Sequence, residues 1–410
     1  MKKRVVITGM EITSSIGTGL DKFWSAASAG LSGIKRIQRY DPSPYPTQIG
    51  GEITDFCLDD LPQFNKTKRY SRSAQYALYC AHQAIKQAGL SAEELIHAGT
   101  YMGTSMGGYS ESENVYKEMY AGEGWKKVPA LSIVRTMPNS IANHIAIEFG
   151  IGGPNSTISN ACISSAEAIG TAYQQIAQGK LSTALCGGTD AFLRESVMAT
   201  WCKLKVMSTN NENPSQACRP FDLNRDGMVI ADGAGILILE ELRQAQARGA
   251  TIYAEIIGFG ASCDAFHVTA PSSQGQTRAI FSALDDAKLS VNDIHYINAH
   301  GTGTQLNDST ETETIKAVFG TRAYDIPVTA QKSMTGHAIG AAGVMEIIAT
   351  ALSLRHDLLL PTINLETPDP SCDLDYVANT SRAKKIDIAL SNHFAFGGAN
   401  AALVLSKYVR

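Results

Sequence analysis

One strand-to-helix turn occurs twice along this 410-residue chain. The segment STISNACISSAEAIGTAYQQI (156–176) is echoed by PVTAQKSMTGHAIGAAGVMEII (327–348), and each leads on to a glycine-rich strand region, GGTDAF and FGGAN. The echo is one of pattern and not of identity. It points to two similar halves, which accounts for a length above that of one ordinary domain. No low-complexity linker parts the halves, so a single body is expected.

The rest of the chain fits layered α/β structure. Short apolar runs bounded by glycine, 4–8, 184–187, 235–239 and 401–405, read as buried strands. The clearest helix is 71–88, where Ala77, Leu78, Ala81, Ala84, Ile85 and Ala88 share one face and Gly89 supplies the stop. Alternation of this kind implies helices layered on sheets, and 44% apolar residues with 36 glycines suit such a fold and not disorder.

A net charge of −4 gives no general attraction to nucleic acid or membrane, so any basic docking surface has to be local. No apolar run approaches the roughly 20 residues of a membrane span, and MKKRVVITGM enters a strand pattern directly, which leads us to expect a cytoplasmic protein. Eight scattered cysteines without a CxxC pair argue against a zinc site or a disulfide framework, and no metal is expected.

One of those cysteines is placed for chemistry. Cys162 sits where the strand pattern 156–159 meets a small-residue helix beginning at Ile163. A thiol at a helix N-terminus feels the dipole and the free N–H groups, which favour the thiolate. A buried, inert cysteine is the commoner case. Two histidines also lie in glycine-rich turns, His300 in NAHGTGT and His337 in KSMTGH. Each alone reads as an ordinary structural histidine; with Cys162 they make a nucleophile-and-base constellation. Gly103 to Gly108 (GTSMGG) fits neither a P-loop nor a dinucleotide fingerprint. The segment FAFGGAN (394–400) suits a plain turn, a gate or an oxyanion hole.

Four blocks carry a resemblance. Cys162 in NACISS, His300 in NAHGTGT, Lys332 to His337 as KSMTGH, and Asn392 to Asn400 as NHFAFGGAN resemble, in the same order, the sequence blocks of β-ketoacyl-acyl carrier protein synthases. The resemblance implies a thiolase-like fold of two duplicated halves, 1–250 with Cys162 and 251–410 with His300 and His337, in a five-layer αβαβα arrangement. It implies that Cys162 takes an acyl chain from a carrier-protein thioester, with the N–H groups of Cys162 and Phe396 as oxyanion hole. His300 and His337, neutral and donating, would stabilise the enolate formed when malonyl thioester loses carbon dioxide. Lys332, ion-paired with Glu311, would organise the site. By the same resemblance Thr302 and Thr304 bind the phosphopantetheine arm of the carrier protein, Phe396 is a gatekeeper, and Met106, Ile163 and Phe394 line the acyl pocket. Lys66, Lys68 and Arg69 form a basic cluster that could meet an acidic carrier protein. The enzyme would need no cofactor of its own.

The chain departs from the family's NSFGFGG at His393 and Ala395, and Ile163 is bulkier than the usual residue after the nucleophile. Loss of the glycine at 395 should restrict the gate, and Ile163 should reshape the pocket. The segments HGTGTQLND, TPDPSCDLDY, FWSAASAG and YDPSP tilt the resemblance toward the catalytic ketosynthase subunit of type II polyketide systems, whose partner would be a homologous chain-length factor in a heterodimer. Housekeeping fatty-acid elongation, with a homodimer, is the alternative. A non-catalytic chain-length-factor-like subunit is a second, though such a subunit has no need of a nucleophile.

Overall fold

The computed structural model describes residues 2–57 and 70–409, so the basic cluster Lys66, Lys68 and Arg69 lies outside the described residues. Ten strands form the frame. They are β1 (Val5–Ser14), β2 (Gly99–Gly103), β3 (Asn155–Ile158), β4 (Thr183–Asp190), β5 (Gly233–Glu241), β6 (Ala254–Cys263), β7 (Tyr296–Asn298), β8 (Val328–Thr329), β9 (Ile388–Phe394) and β10 (Ala399–Ser406). Their spatial order is β3-β2-β4-β5-β1 followed by β6-β10-β9-β7-β8. Read outward from the centre, both sets run first, fifth, fourth, second, third. Pairing repeats as well: β2 is parallel to β3 and β4, and β7 is parallel to β8 and β9, while the remaining neighbours are antiparallel. The echo in the sequence is therefore an echo of topology. The two sheets join where Val5, Val6 and Ile7 of β1 pair with Ile256, Glu255 and Ala254 of β6.

Strand alternation shows why helices must cover both faces of each sheet. On β5, Ile236 and Ile238 point to one cluster and Leu237 and Leu239 to another; on β10, Val404 opposes Leu403 and Leu405 in the same way. Each fully buried side chain of this size contributes roughly 1.5–3 kcal/mol. The outer face of the first sheet is covered by α1 (Arg72–Ala88), with α2 (Ser140–Phe149) beside it. Between the sheets lie α3 (Ser164–Ala177) and, from the second half, α8 (Ala342–His356). The outer face of the second sheet carries α5 (Ser273–Ala287) and α6 (Gln305–Phe319). This gives five layers. Two further helices frame the site: α4 (Glu195–Leu204) and the single turn α7 (Lys332–Thr335).

Local signals match this outcome at α1, where the Ser71 hydroxyl accepts from Ala74 N–H at 3.3 Å and Gly89 closes the helix in the left-handed region at φ 67°. The central helices need small residues for a different reason. A β-carbon on Gly103 would stand 2.3 Å from the backbone of Ser164 and Ser165, so β2 touches the start of α3 with no room between. We expect Gly103→Ala to cost about 1–3 kcal/mol in urea unfolding; unchanged stability would mean that α3 can retreat from the strand. Among the described residues no helix is long and apolar enough to cross a membrane.

Candidate active site

Cys162 occupies a short 3-10 turn, Ala161–Ile163, between β3 and α3. Ala161 is held at φ 45°, uncommon for a residue with a side chain, and Ile339 at the matching turn before α8 has φ 46°. The turn is braced from within. Ser164 Oγ accepts from Asn160 N–H at 2.9 Å and donates to the Ala161 carbonyl at 2.7 Å, and Asn160 Nδ2 donates to Glu167 Oε2 at 2.9 Å. The backbone N–H groups of this first turn lack intrahelical acceptors.

Cys162, His300, His337, Thr302, Thr304, Phe394 and Phe396 all line one cavity of about 260 Å³. The imidazoles of His300 and His337 stand edge-to-face with centroids 5.4 Å apart, and Phe394 meets His300 at 5.9 Å. Burial, with the Lys332 ammonium close by, holds both rings well below the usual histidine range, so both are neutral. Lys332 Nζ donates to the His300 carbonyl at 2.5 Å and lies 3.4 Å from His300 Nδ1. An ammonium has only donors to offer. Nδ1 must accept, and the ring proton of His300 sits on Nε2.

The thiol departs from expectation. Burial pushes Cys162 up to about 12, against the lowering influence of Lys332 and of the Phe396 N–H directed at the sulfur. The helix terminus is present, but desolvation outweighs it. Cys162 therefore rests as a thiol at neutral pH, and below that value the thiolate fraction rises tenfold per pH unit. Iodoacetamide alkylation of Cys162, followed by peptide mass spectrometry, should accelerate continuously from pH 7 to 10. A plateau within that range would show a thiolate already formed.

The expected pairing of Lys332 with Glu311 is also corrected. Lys332 pairs with Glu346 of α8, both about 1% exposed. Glu311 instead accepts the N–H of His300 at 2.8 Å and of Gly301 at 2.9 Å, fixing the turn that carries the histidine. Burial raises its carboxyl to about 7 against the pull of those two N–H groups.

Thr302 and Thr304 place their hydroxyls 2.9 Å apart on the cavity wall. Phe396 stacks on Trp201 of α4 at 5.9 Å. The left-handed positions of this loop are Gly397 (φ 87°) and Gly398 (φ 75°), while Ala395 lies outside that region, so alanine there brings no backbone strain. Met106 and Ile163 do not line the cavity of this chain: Met106 is 37% exposed, and Ile163 packs into the core between the sheets. Sequence reading overlooked Glu346 and Trp201. Glu346 had a signal, a lone acid in an otherwise apolar helix; Trp201 had none.

The chain is similar to known proteins over its whole length. Residues 2–245 match the family description "Beta-ketoacyl synthase, N-terminal domain" and residues 253–366 "Beta-ketoacyl synthase, C-terminal domain". The chain is 42% identical, over 99% of both lengths, to the 3-oxoacyl-[acyl-carrier-protein] synthase 2 of Synechocystis sp.. Among solved structures it is similar to the ishigamide ketosynthase/chain length factor (34% identity, TM-score 0.92, 100% of both chains). It is also similar to a type II polyketide synthase acyl-carrier protein in complex with its ketosynthase bound to the hexaketide (30% identity, TM-score 0.92, 100% of both chains).

Proposed function

Because the chain belongs to the β-ketoacyl synthase family, and so is an acyltransferase of the condensing type, we propose that it extends acyl chains in type II polyketide or polyene assembly, with Cys162 as nucleophile. The observation that carries the residue roles is the single cavity shared by Cys162, His300, His337 and Phe396. The two halves, 1–250 and 251–410, contribute the nucleophile and the histidines respectively.

Acyl transfer comes first. The Cys162 sulfur attacks the thioester carbonyl of acyl-carrier protein, and the N–H groups of Cys162 and Phe396 receive the oxyanion. Since the thiol is protonated at rest, its proton passes to a neutral imidazole of the cavity and then to the departing phosphopantetheine thiolate. Malonyl-carrier protein follows, its arm held by Thr302 and Thr304. Breaking the bond to its carboxylate releases carbon dioxide and leaves an enolate, whose oxygen takes hydrogen bonds from the histidines; His300 offers Nε2–H. The enolate carbon attacks acyl-Cys162, the tetrahedral intermediate collapses, and the thiolate leaves and regains a proton. Acyl-enzyme, malonyl thioester and one proton give β-ketoacyl thioester, carbon dioxide and free thiol. Phosphopantetheine belongs to the carrier protein throughout.

Fatty-acid elongation by the same chemistry is the second reading, favoured by the 42% identity to a 3-oxoacyl-[acyl-carrier-protein] synthase 2. Both readings need a homologous subunit, identical or a chain-length factor. The edge strand β3, with solvent-facing Ile147 on the adjoining α2, suits that contact. A cytoplasmic location fits either pathway. Mass spectrometry after incubation with acyl- and malonyl-carrier proteins, with and without co-expressed neighbours, tests the proposal. An acyl adduct on Cys162 that disappears into a ketoacyl product supports it, and the adduct's mass separates the pathways. Absence of any adduct, alone or with a co-purified homologue, sinks it in favour of a non-catalytic subunit.

A further inference from the structure

Behind the two cavity histidines runs a buried row of polar groups that the reaction itself leaves unexplained. Ser391 and His393 of β9, Glu346 of α8 and Lys332 of α7 are each 0–1% exposed. A row of this kind costs desolvation, which pairing and hydrogen bonds among its members offset. Asn298 Nδ2 donates to Ser391 Oγ at 3.2 Å, and Ser391 Oγ lies 3.0 Å from His393 Nε2. Which of the two atoms donates in that bond depends on the tautomer of the His393 ring, whose other nitrogen, Nδ1, faces Glu346. Nδ1 stands 2.9 Å from Glu346 Oε2, within ion-pair distance but without hydrogen-bond geometry. The other carboxylate oxygen, Oε1, meets Lys332, which contacts both the carbonyl and Nδ1 of His300.

From this geometry we infer that His393 is a positioning residue: it holds one oxygen of Glu346 so that the other keeps Lys332 against His300, fixing the His300 Nε2–H toward the cavity. A serine at this place, as in the NSFGFGG block, ends one bond short of the ring nitrogen that faces Glu346. The hydrogen bonds of Lys332 lead to Glu346 and His300, and only its longer-range charge reaches Cys162 and His337. His393 therefore acts mainly on the step that needs His300, loss of carbon dioxide, and far less on acyl transfer to Cys162.

The inference rests on the role proposed above for His300, and the two half-reactions separate them. In the full-length protein, with its homologous subunit if one co-purifies, acyl loading of Cys162 is followed by adduct mass and carbon dioxide release from malonyl-carrier protein is followed directly. His393→Leu removes both ring nitrogens. His393→Asn restores an amide N–H at the Nδ1 position, and His393→Gln places one at the Nε2 position instead. We expect His393→Leu to slow carbon dioxide release about 10- to 100-fold with acyl loading little changed, and His393→Asn to recover most of that loss. Should the leucine variant not fold, His393→Asn must still exceed His393→Gln in carbon dioxide release. A parallel fall in both half-reactions, undiminished release in His393→Leu, or asparagine no better than glutamine overturns the inference. Unaffected release in His300→Asn would instead overturn the role of His300; a sensitive His300 with an indifferent His393 defeats this inference alone.

Discussion

Cys162→Ala folds and does not condense. The sulfur is the sole atom lost, and it sits in a small buried site beside Ile339 and Met228, so the stability cost should stay near 1 kcal/mol. The catalytic cost is of another order. Without the thiol no acyl-enzyme forms, and loss of a covalent nucleophile lowers turnover by at least about 10³-fold. Release of carbon dioxide from malonyl-carrier protein should persist in this variant, because that step draws on His300 and His337 and not on the sulfur. Measuring ketoacyl product and carbon dioxide side by side checks both halves of the statement. Retained condensation would remove Cys162 from the mechanism, and loss of both activities would point to a damaged site.

Glu346→Leu should be the most destabilising single change in the site. Lys332 is about 1% exposed, and removing its carboxylate partner leaves a buried ammonium without a counter-charge. Breaking such a pair from one side costs about 3–5 kcal/mol, whereas replacing both charges by apolar groups is often nearly neutral. The expected result is a large fall in urea midpoint for Glu346→Leu, recovered in good part by Glu346→Leu with Lys332→Met. Decarboxylation should stay low in both, since the hold on His300 Nδ1 is lost either way. A single variant as stable as the parent would mean that Lys332 sheds its proton or reaches water.

What could be read from the sequence follows how local each cause is. The turns bearing Cys162 and His300 are each set by a few consecutive residues, so their positions at strand ends were legible, as was α1 from Ser71 and Gly89, whereas His337 follows the single helical turn α7 and not a strand. The repeated strand order was legible in outline from one recurring turn. Partnerships across layers were not. Lys332 was assigned to Glu311 from the block it followed, yet its ammonium turns toward Glu346 on α8, a choice decided by packing between the sheets. The thiol's acidity failed for the same reason: a helix terminus is written in neighbouring residues, but desolvation by Phe394, Met228 and Ile339 comes from distant ones. Ala395 looked like a constraint on the gate because its φ could not be known beforehand; the loop places its two left-handed residues at Gly397 and Gly398.

The strand that opens the chain is also the one that closes the architecture. β1 lies at the centre of the joined sheets, with partners at residues 234–241 on one side and 254–256 on the other. During synthesis this strand leaves the ribosome well before its main partners, and apart from the short pairing of Thr13 and Ser14 with residues 17–18 it has nothing to pair with until Ala234 to Glu241 have been made. At ordinary elongation rates that is a wait of roughly 10–50 s. An apolar segment, VVITGM, stays unsheltered for that interval, and a contact so remote in sequence forms slowly once it becomes possible. Nascent chains of this protein should therefore call on chaperones early, and a truncation ending before β5 should aggregate in preference to folding as half a molecule.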